Sequence, residues 1–317
     1  MNAKNAIMIF FFIVNYITID NLIAQDSSSK ISGIVYFEYF IPDNSMSDVE
    51  QFRFKRYYFT YDKNISDNLD VRYRLDADRA KDGNARTFVK HAYVSWANIV
   101  PDAKIYIGMQ PTPNWGISEK YWGYRSIEKT IQDLNKIGAS ADMGIGLKGN
   151  FSAKQGYHIT YMNGTGNSKP ENDDFKKISG LFWLKPQEKF IGTVYLAREP
   201  TTSDFSNLTF TIFGGYESKE FRTGIEYFYH KNEGVKEFNV TGISLFGTYK
   251  SEKGDFFGRY DISDPDDTTD SDGETYLILG YDYIADANFH IMPNLRILGR
   301  DNKDSINEIH VNFEFKF

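Results

Sequence analysis

From Asn307 to Phe317 the chain reads NEIHVNFEFKF, with Ile309, Val311, Phe313, Phe315 and Phe317 on one parity and Glu308, His310, Asn312, Glu314 and Lys316 on the other. A period of two marks an extended strand with one apolar and one polar flank. The pattern recurs along the sequence. Alternating runs bounded by turn residues fall at Ile31–Ile41, Gln51–Asp62, Leu69–Ala77, Phe88–Ala97, Ala103–Gln110, Asp142–Phe151, Gly156–Asn163 and Lys176–Lys185. They continue at Lys189–Ala197, Leu208–Glu217, Glu220–His230, Glu237–Lys250, Asp255–Ile262, Glu274–Ile284, Asn288–Gly299 and Asn307–Phe317, about sixteen in all. Such strands suit two environments. A soluble sheet buries the apolar flank in a core and wets the other; a closed barrel in a bilayer turns the apolar flank to lipid and the polar flank to an aqueous lumen.

The connections favour the barrel. Lys63–Asn68, Asn98–Asp102, Ser152–Gln155, Pro186–Glu188, Ser218–Lys219, Ser251–Gly254 and Ala285–Ala287 are short. They alternate with mostly longer, polar segments: Pro42–Glu50, Asp78–Thr87, Pro111–Ala141, Gly164–Phe175, Arg198–Asn207, Lys231–Lys236, Ser263–Gly273 and Arg300–Ile306. An outer-membrane barrel places tight turns on the periplasmic side and larger loops outside. A soluble sandwich has no reason to keep that parity through every hairpin. Charges recur on the polar flank, as in Asp70, Arg72, Arg74 and Asp76 opposite Leu69, Val71, Tyr73, Leu75 and Ala77. They would be costly in a dry core and cost little against water. The predicted fold class is therefore all-β, a transmembrane antiparallel barrel of about sixteen strands with both termini at the short-turn end.

The N-terminus agrees. In MNAKNAIMIFFFIVNYITIDNLIAQ, Lys4 precedes an apolar run from Ala6 to Val14. That run is too short for a hydrocarbon core of roughly 30 Å, which needs about 20 residues. A basic start, a short apolar stretch and Ala24 resemble a secretory signal peptide over residues 1–24, leaving 25–317 as one barrel domain. The absence of cysteine removes disulfides, thiolate metal ligands and cysteine nucleophiles. With 43 acidic against 36 basic residues, a net charge of −7 does not suit nucleic acid.

The third long connection, PTPNWGISEKYWGYRSIEKTIQDLNKIGASA, is much the longest. Loops of this length inside a compact domain are usually functional. Ser126 is placed to cap a short helix through Asn135, with Ile127, Ile131 and Leu134 on one side. The segments FKRYYFTYDKNISDNLDVRYRLDAD and HAYVSW…IYIGMQPTPNWGISEKYWGYRS resemble the phosphate-selective porin family of Gram-negative outer membranes over roughly residues 50–150. There a basic strand pair precedes a strand ending in a Gly-x-x-x-x-Pro run, here Gly108 to Pro113, and then the constriction loop. The resemblance implies a third loop folded into the lumen, with Pro111, Pro113, Trp115, Tyr121, Trp122 and Tyr124 in the constriction. The terminal Phe317 similarly resembles the C-terminal signal read by the barrel assembly machinery. A homotrimer embedded in outer-membrane lipid and lipopolysaccharide is a further implication.

Selectivity for anions needs cations in the lumen. The candidates are Arg56, Arg72, Arg74, Lys120 and Arg125, with Arg222 and Arg259 on the far wall. Asp70, Asp76, Glu119, Glu128 and Glu226 share that space, so the expectation is passive diffusion of small hydrophilic solutes or ions, with phosphate as one candidate. Other chemistry finds no support. The acidic stretch Ser263–Glu274 misses the calcium-loop register, because counting back from Gly273 puts Thr268 first and Leu279 twelfth. It reads as a solvated outer loop, or as a weak divalent bridge to lipopolysaccharide. The five histidines have no metal-ligand spacing, and neither His91 near Ser95 nor His230 sits in a nucleophile signature. No enzyme, metal or cofactor is expected. Two rival readings are a closed barrel with an adhesive, structural or enzymatic role, and a secreted soluble β-protein that binds glycans through its tyrosines.

Overall fold

The computed structural model describes residues 28–79 and 84–317; the leader expected over 1–24 lies outside them. The strands are β1 (Ser29–Ile41), β2 (Gln51–Ser66), β3 (Leu69–Arg79), β4 (Ala85–Ala97), β5 (Ala103–Pro111), β6 (Ala141–Ser152), β7 (Gln155–Met162) and β8 (Lys177–Leu184). They continue as β9 (Phe190–Pro200), β10 (Ser206–Glu217), β11 (Phe221–Asn232), β12 (Phe238–Ser251), β13 (Gly254–Asp264), β14 (Glu274–Asp286), β15 (Phe289–Arg300) and β16 (Lys303–Lys316). Each is antiparallel to its sequence neighbours, and β1 pairs with β16 to close the barrel. At that seam Val35 faces Phe315, Phe37 faces Phe313 and Tyr39 faces Val311. Phe317 completes it, exchanging two backbone hydrogen bonds with Gly33 at 2.9 and 3.1 Å. Closure pairs both edges of the sheet.

Side chains sort by parity as the pattern requires. Ile145, Ile159, Ile225, Leu245 and Phe315 lie on the outer surface and are exposed. Thr60, Thr193, Thr211, Ser244, Asn294, Arg296 and Asn312 point inward and are buried. Two of the register shifts in the barrel place lysines inward. Tyr36 faces Arg56 while Phe37 faces Phe54, so Lys55 is extra in β2. Arg74 faces His91 while Leu75 faces Val89, so Lys90 is extra in β4. A bulge lets two successive side chains turn to one face. Here the extra residue is a lysine both times, and each lysine reaches an inward carboxylate, Glu38 at 3.1 Å and Asp76 at 3.2 Å.

Two expectations need correction. The last outer connection is a tight turn at Asp301 and Asn302, with Asn302 at φ 57°, rather than the loop Arg300–Ile306. Lys303–Ile306 belongs to β16, paired back to Arg300 and Leu298. Strand ends that rise above a bilayer need no apolar flank, so the alternation that marks a strand is missing there. The lumen, moreover, is not wet throughout. Phe213, Phe228, Phe246, Phe257, Ile278 and Met292 point inward from β10 to β15 and are buried beneath the third loop.

Candidate functional site

The third loop, residues 112–140, begins where β5 loses its regular geometry. Gly108 stands at φ 120°, a conformation that excludes side chains, and any Cβ there would press on the Ala92 carbonyl. Pro111 and Pro113 turn the chain inward, and Asn114 Nδ2 donates to the Ile137 carbonyl at 2.8 Å, tying the loop's two ends. Helix α1 (Gly116–Trp122) then crosses toward β10 and β11, and ends at Gly123 in the left-handed region at φ 76°. The helix expected from Ser126 is only one turn, α2 (Ile131–Leu134), with Thr130 at its N-cap. The Ser126 hydroxyl lies 3.9 Å from Met292 Sδ and caps nothing.

Aromatic packing holds the loop to one wall. The Trp122 ring meets Phe246 and Phe257 edge-on at 5.7 and 6.2 Å, Tyr124 lies 4.3 Å from Phe257, and Tyr121 lies 5.5 Å from Phe213. Polar bonds fix the same face. Gln132 donates to Glu226 at 2.6 Å and accepts from Thr211 at 2.9 Å. Arg222 donates to the Trp122 carbonyl at 3.3 Å. Arg259, only 2 % exposed, pairs with Asp261, donates to the Lys129 carbonyl, and lies 5.3 Å above the Trp122 ring. The loop's other flank docks on the barrel seam. Lys55 donates to the Ile127 carbonyl at 3.1 Å, Asn312 to the Ser126 carbonyl at 3.2 Å, and Arg296 meets Glu128 at 3.3 Å.

What remains open lies against β2 to β9. Its wall presents Arg56, bonded to Asp78 at 3.0 Å and Tyr58 at 3.3 Å, and Arg72, held by Asp62 at 2.6 and 2.9 Å. Arg74 donates to Thr60 at 2.7 Å and has no carboxylate at ion-pair distance among the described residues. The loop presents Glu119 and Arg125, 3.1 Å apart, with Asp133 3.7 Å from Arg125. Glu119 keeps a third of its side chain accessible to water, yet stands enclosed by loop and wall. That enclosure raises its carboxyl above the usual range, and Arg125 only partly opposes it.

Of the cations singled out in the sequence, Arg72 and Lys120 line the space below the loop, Arg56 and Arg125 are held by Asp76, Asp78 and Glu119, and Arg74 is bonded to Thr60. Arg222 and Arg259 sit against the packed loop, their donors turned to the Trp122 and Lys129 carbonyls. Trp115, Trp122 and Tyr124 of the expected constriction are buried, and Pro111, Pro113 and Lys120 line the space below the loop. Sequence reasoning missed Glu38, Lys55, Lys90, Arg296 and Asn312. Glu38 and Asn312 stand on inward parity in their strands and were legible to that extent; the bulged lysines left no periodic signal.

No protein-family model matches the chain, and no curated protein matches it. Solved structures do. Outer-membrane-expressed OmpT of Vibrio cholerae is 13% identical with a TM-score of 0.69, covering 94% of this chain and 100% of that one. An anion-selective porin from Comamonas acidovorans is 14% identical with a TM-score of 0.69, covering 92% and 100%. Salmonella typhi OmpF, solved with daunomycin, is 10% identical with a TM-score of 0.64, covering 91% and 97%. The likeness at these identities is one of fold, and the fold of this chain is that of the Gram-negative outer-membrane porins.

Proposed function

We propose that the protein is an outer-membrane porin through which small hydrophilic solutes diffuse down their gradients, with a mild preference for anions. The observation that carries this is the space on the short-turn side of the third loop. It is a cavity of about 680 Å³ whose lining includes Arg72, Lys120, Lys148 and Lys185 and no carboxylate. A lining of one sign sets which ion enters. On the outer side of the loop, a space of about 430 Å³ is bordered by Glu128, Asp261, Glu274 and Glu308 against Arg300. The two signs in series keep the preference mild.

Phosphate is then one admitted anion rather than the selected one. Arg56 and Arg72, which could grip it in a fork, are engaged by Asp78 and Asp62. A trimer is part of the proposal. OmpT of Vibrio cholerae has been solved in a trimer form, and the outer flank here carries an apolar groove beside Gly192 and Gly214. The test is conductance of the purified protein in planar bilayers under asymmetric KCl. Discrete steps with a reversal potential on the chloride side support the reading; a bilayer that stays silent at every voltage overturns it.

A further inference from the structure

The lining of the inner vestibule has a second character besides its charge. Tyr93 and Tyr106 stand 5.5 Å apart, and Tyr106 and His158 stand 6.3 Å apart, so rings from β4, β5 and β7 form one surface. This surface passes over β6 at Gly146, an inward position without a side chain opposite Tyr106. A side-chain carbon at Gly146 would stand 2.5 Å from Gln110 Oε1 and 3.3 Å from His158 Nε2. Those two atoms are buried without a hydrogen-bond partner among the described residues. Gln110 is 1 % exposed, and its amide nitrogen is fixed by the Tyr106 and Gly144 carbonyls at 3.1 and 3.0 Å, which leaves the oxygen as a preset acceptor. Trp183 lies farther along the same wall, with Lys185 Nζ 5.9 Å from its ring.

Three cations border this aromatic surface without a carboxylate at ion-pair distance among the described residues: Lys120, Lys148 and Lys185. Simple ion passage explains unpaired lysines, but not rings backed by an unsatisfied acceptor. Together they match a solute with a flat apolar body, a negative end and a hydroxyl donor.

We propose that the inner vestibule is a binding subsite for hydroxylated aromatic carboxylates, with the carboxylate held by Lys148 and Lys185, the ring laid on the Tyr106–His158 surface, and the hydroxyl directed to Gln110. The proposal rests on the porin reading and deepens it. The experiment adds 4-hydroxybenzoate, acetate or phenol to either side of single channels of the full chain carrying KCl current. The expected result is transient block by 4-hydroxybenzoate, with acetate and phenol needing at least about tenfold higher concentration. In channels that still show discrete KCl steps, Lys148→Gln with Lys185→Gln raises the half-blocking concentration by about tenfold and lowers the chloride preference, and Trp183→Leu raises that concentration by a smaller factor. Equal potency of acetate and 4-hydroxybenzoate overturns the subsite and leaves the pore intact. So does unchanged block in the double variant. Absence of KCl steps overturns both the subsite and the porin reading.

Discussion

Arg74 and Arg259 are both inward arginines on barrel strands, and their surroundings give them opposite duties. Arg74 bonds a hydroxyl on the inward face of the wall and has no carboxylate at ion-pair distance among the described residues. Arg259 is buried against Asp261 and the third loop. Arg74→Gln should therefore lower the chloride-to-potassium permeability ratio by about twofold, the effect of roughly 0.5 kcal/mol. Arg259→Gln should leave that ratio nearly unchanged and instead cost ~3–5 kcal/mol of stability, because Asp261 is left buried without its cation. Reversal potentials check the first; the temperature at which the folded band disappears on gels checks the second. Glu119 supplies a pH response. Its raised carboxyl takes up a proton, as pH falls, before an open glutamate near 4.3 would. Protonation releases Arg125 from its partner, with Arg56, Lys90 and Asp133 the other charged groups facing Glu119, so anion preference should rise as pH falls. Glu119→Gln should show the higher preference already at neutral pH and lose that step, as read from reversal potentials across a pH series.

The third loop is the element that decides what passes, and its packing makes it a fixed partition. Trp122 is 1 % exposed at the centre of its contacts. Trp122→Ala should cost ~3–5 kcal/mol of packing and give larger, noisier conductance steps as the loop loosens. Equal noise in the two channels would contradict the role assigned to the ring. That the third connection is a long functional loop was legible in its length; its place inside the lumen was implied only by the resemblance to porins. Its inner structure was not legible. Helix α1 begins at Gly116 after Trp115, with no side-chain cap to announce it. Ser126 carried the cap signature, yet its surroundings are Met292 and Asn312, brought close only by barrel closure. The strands fared better, because period two survives wherever one flank is apolar. It failed at Lys303–Ile306, where the strand has no apolar flank to betray it. The dry wall was hidden for a related reason: Phe246 follows Leu245, and nothing local says that the second of two apolar neighbours points inward onto a loop more than a hundred residues away.

Across the whole molecule, charge is distributed along the barrel axis. Glu128, Asp261, Glu274 and Glu308 border the space on the outer side of the third loop, against Arg300 alone, and the inner vestibule is basic. A pore acidic at one mouth and basic at the other should pass unequal currents at opposite voltages. The inequality should shrink between 0.1 M and 1 M KCl, as the screening length falls from about 10 Å to about 3 Å. Current–voltage curves at the two salt concentrations measure it. The central claim is a water-filled path between the third loop and the β2–β4 wall, and the natural absence of cysteine makes it directly addressable. Arg74→Cys and Arg259→Cys, each the only cysteine in its chain, should be reconstituted and treated with a bulky thiol-reactive reagent during single-channel recording. The account predicts a stepwise loss of conductance in Arg74→Cys and none in Arg259→Cys; unchanged conductance in Arg74→Cys after proven labelling, or equal loss in both, would contradict it.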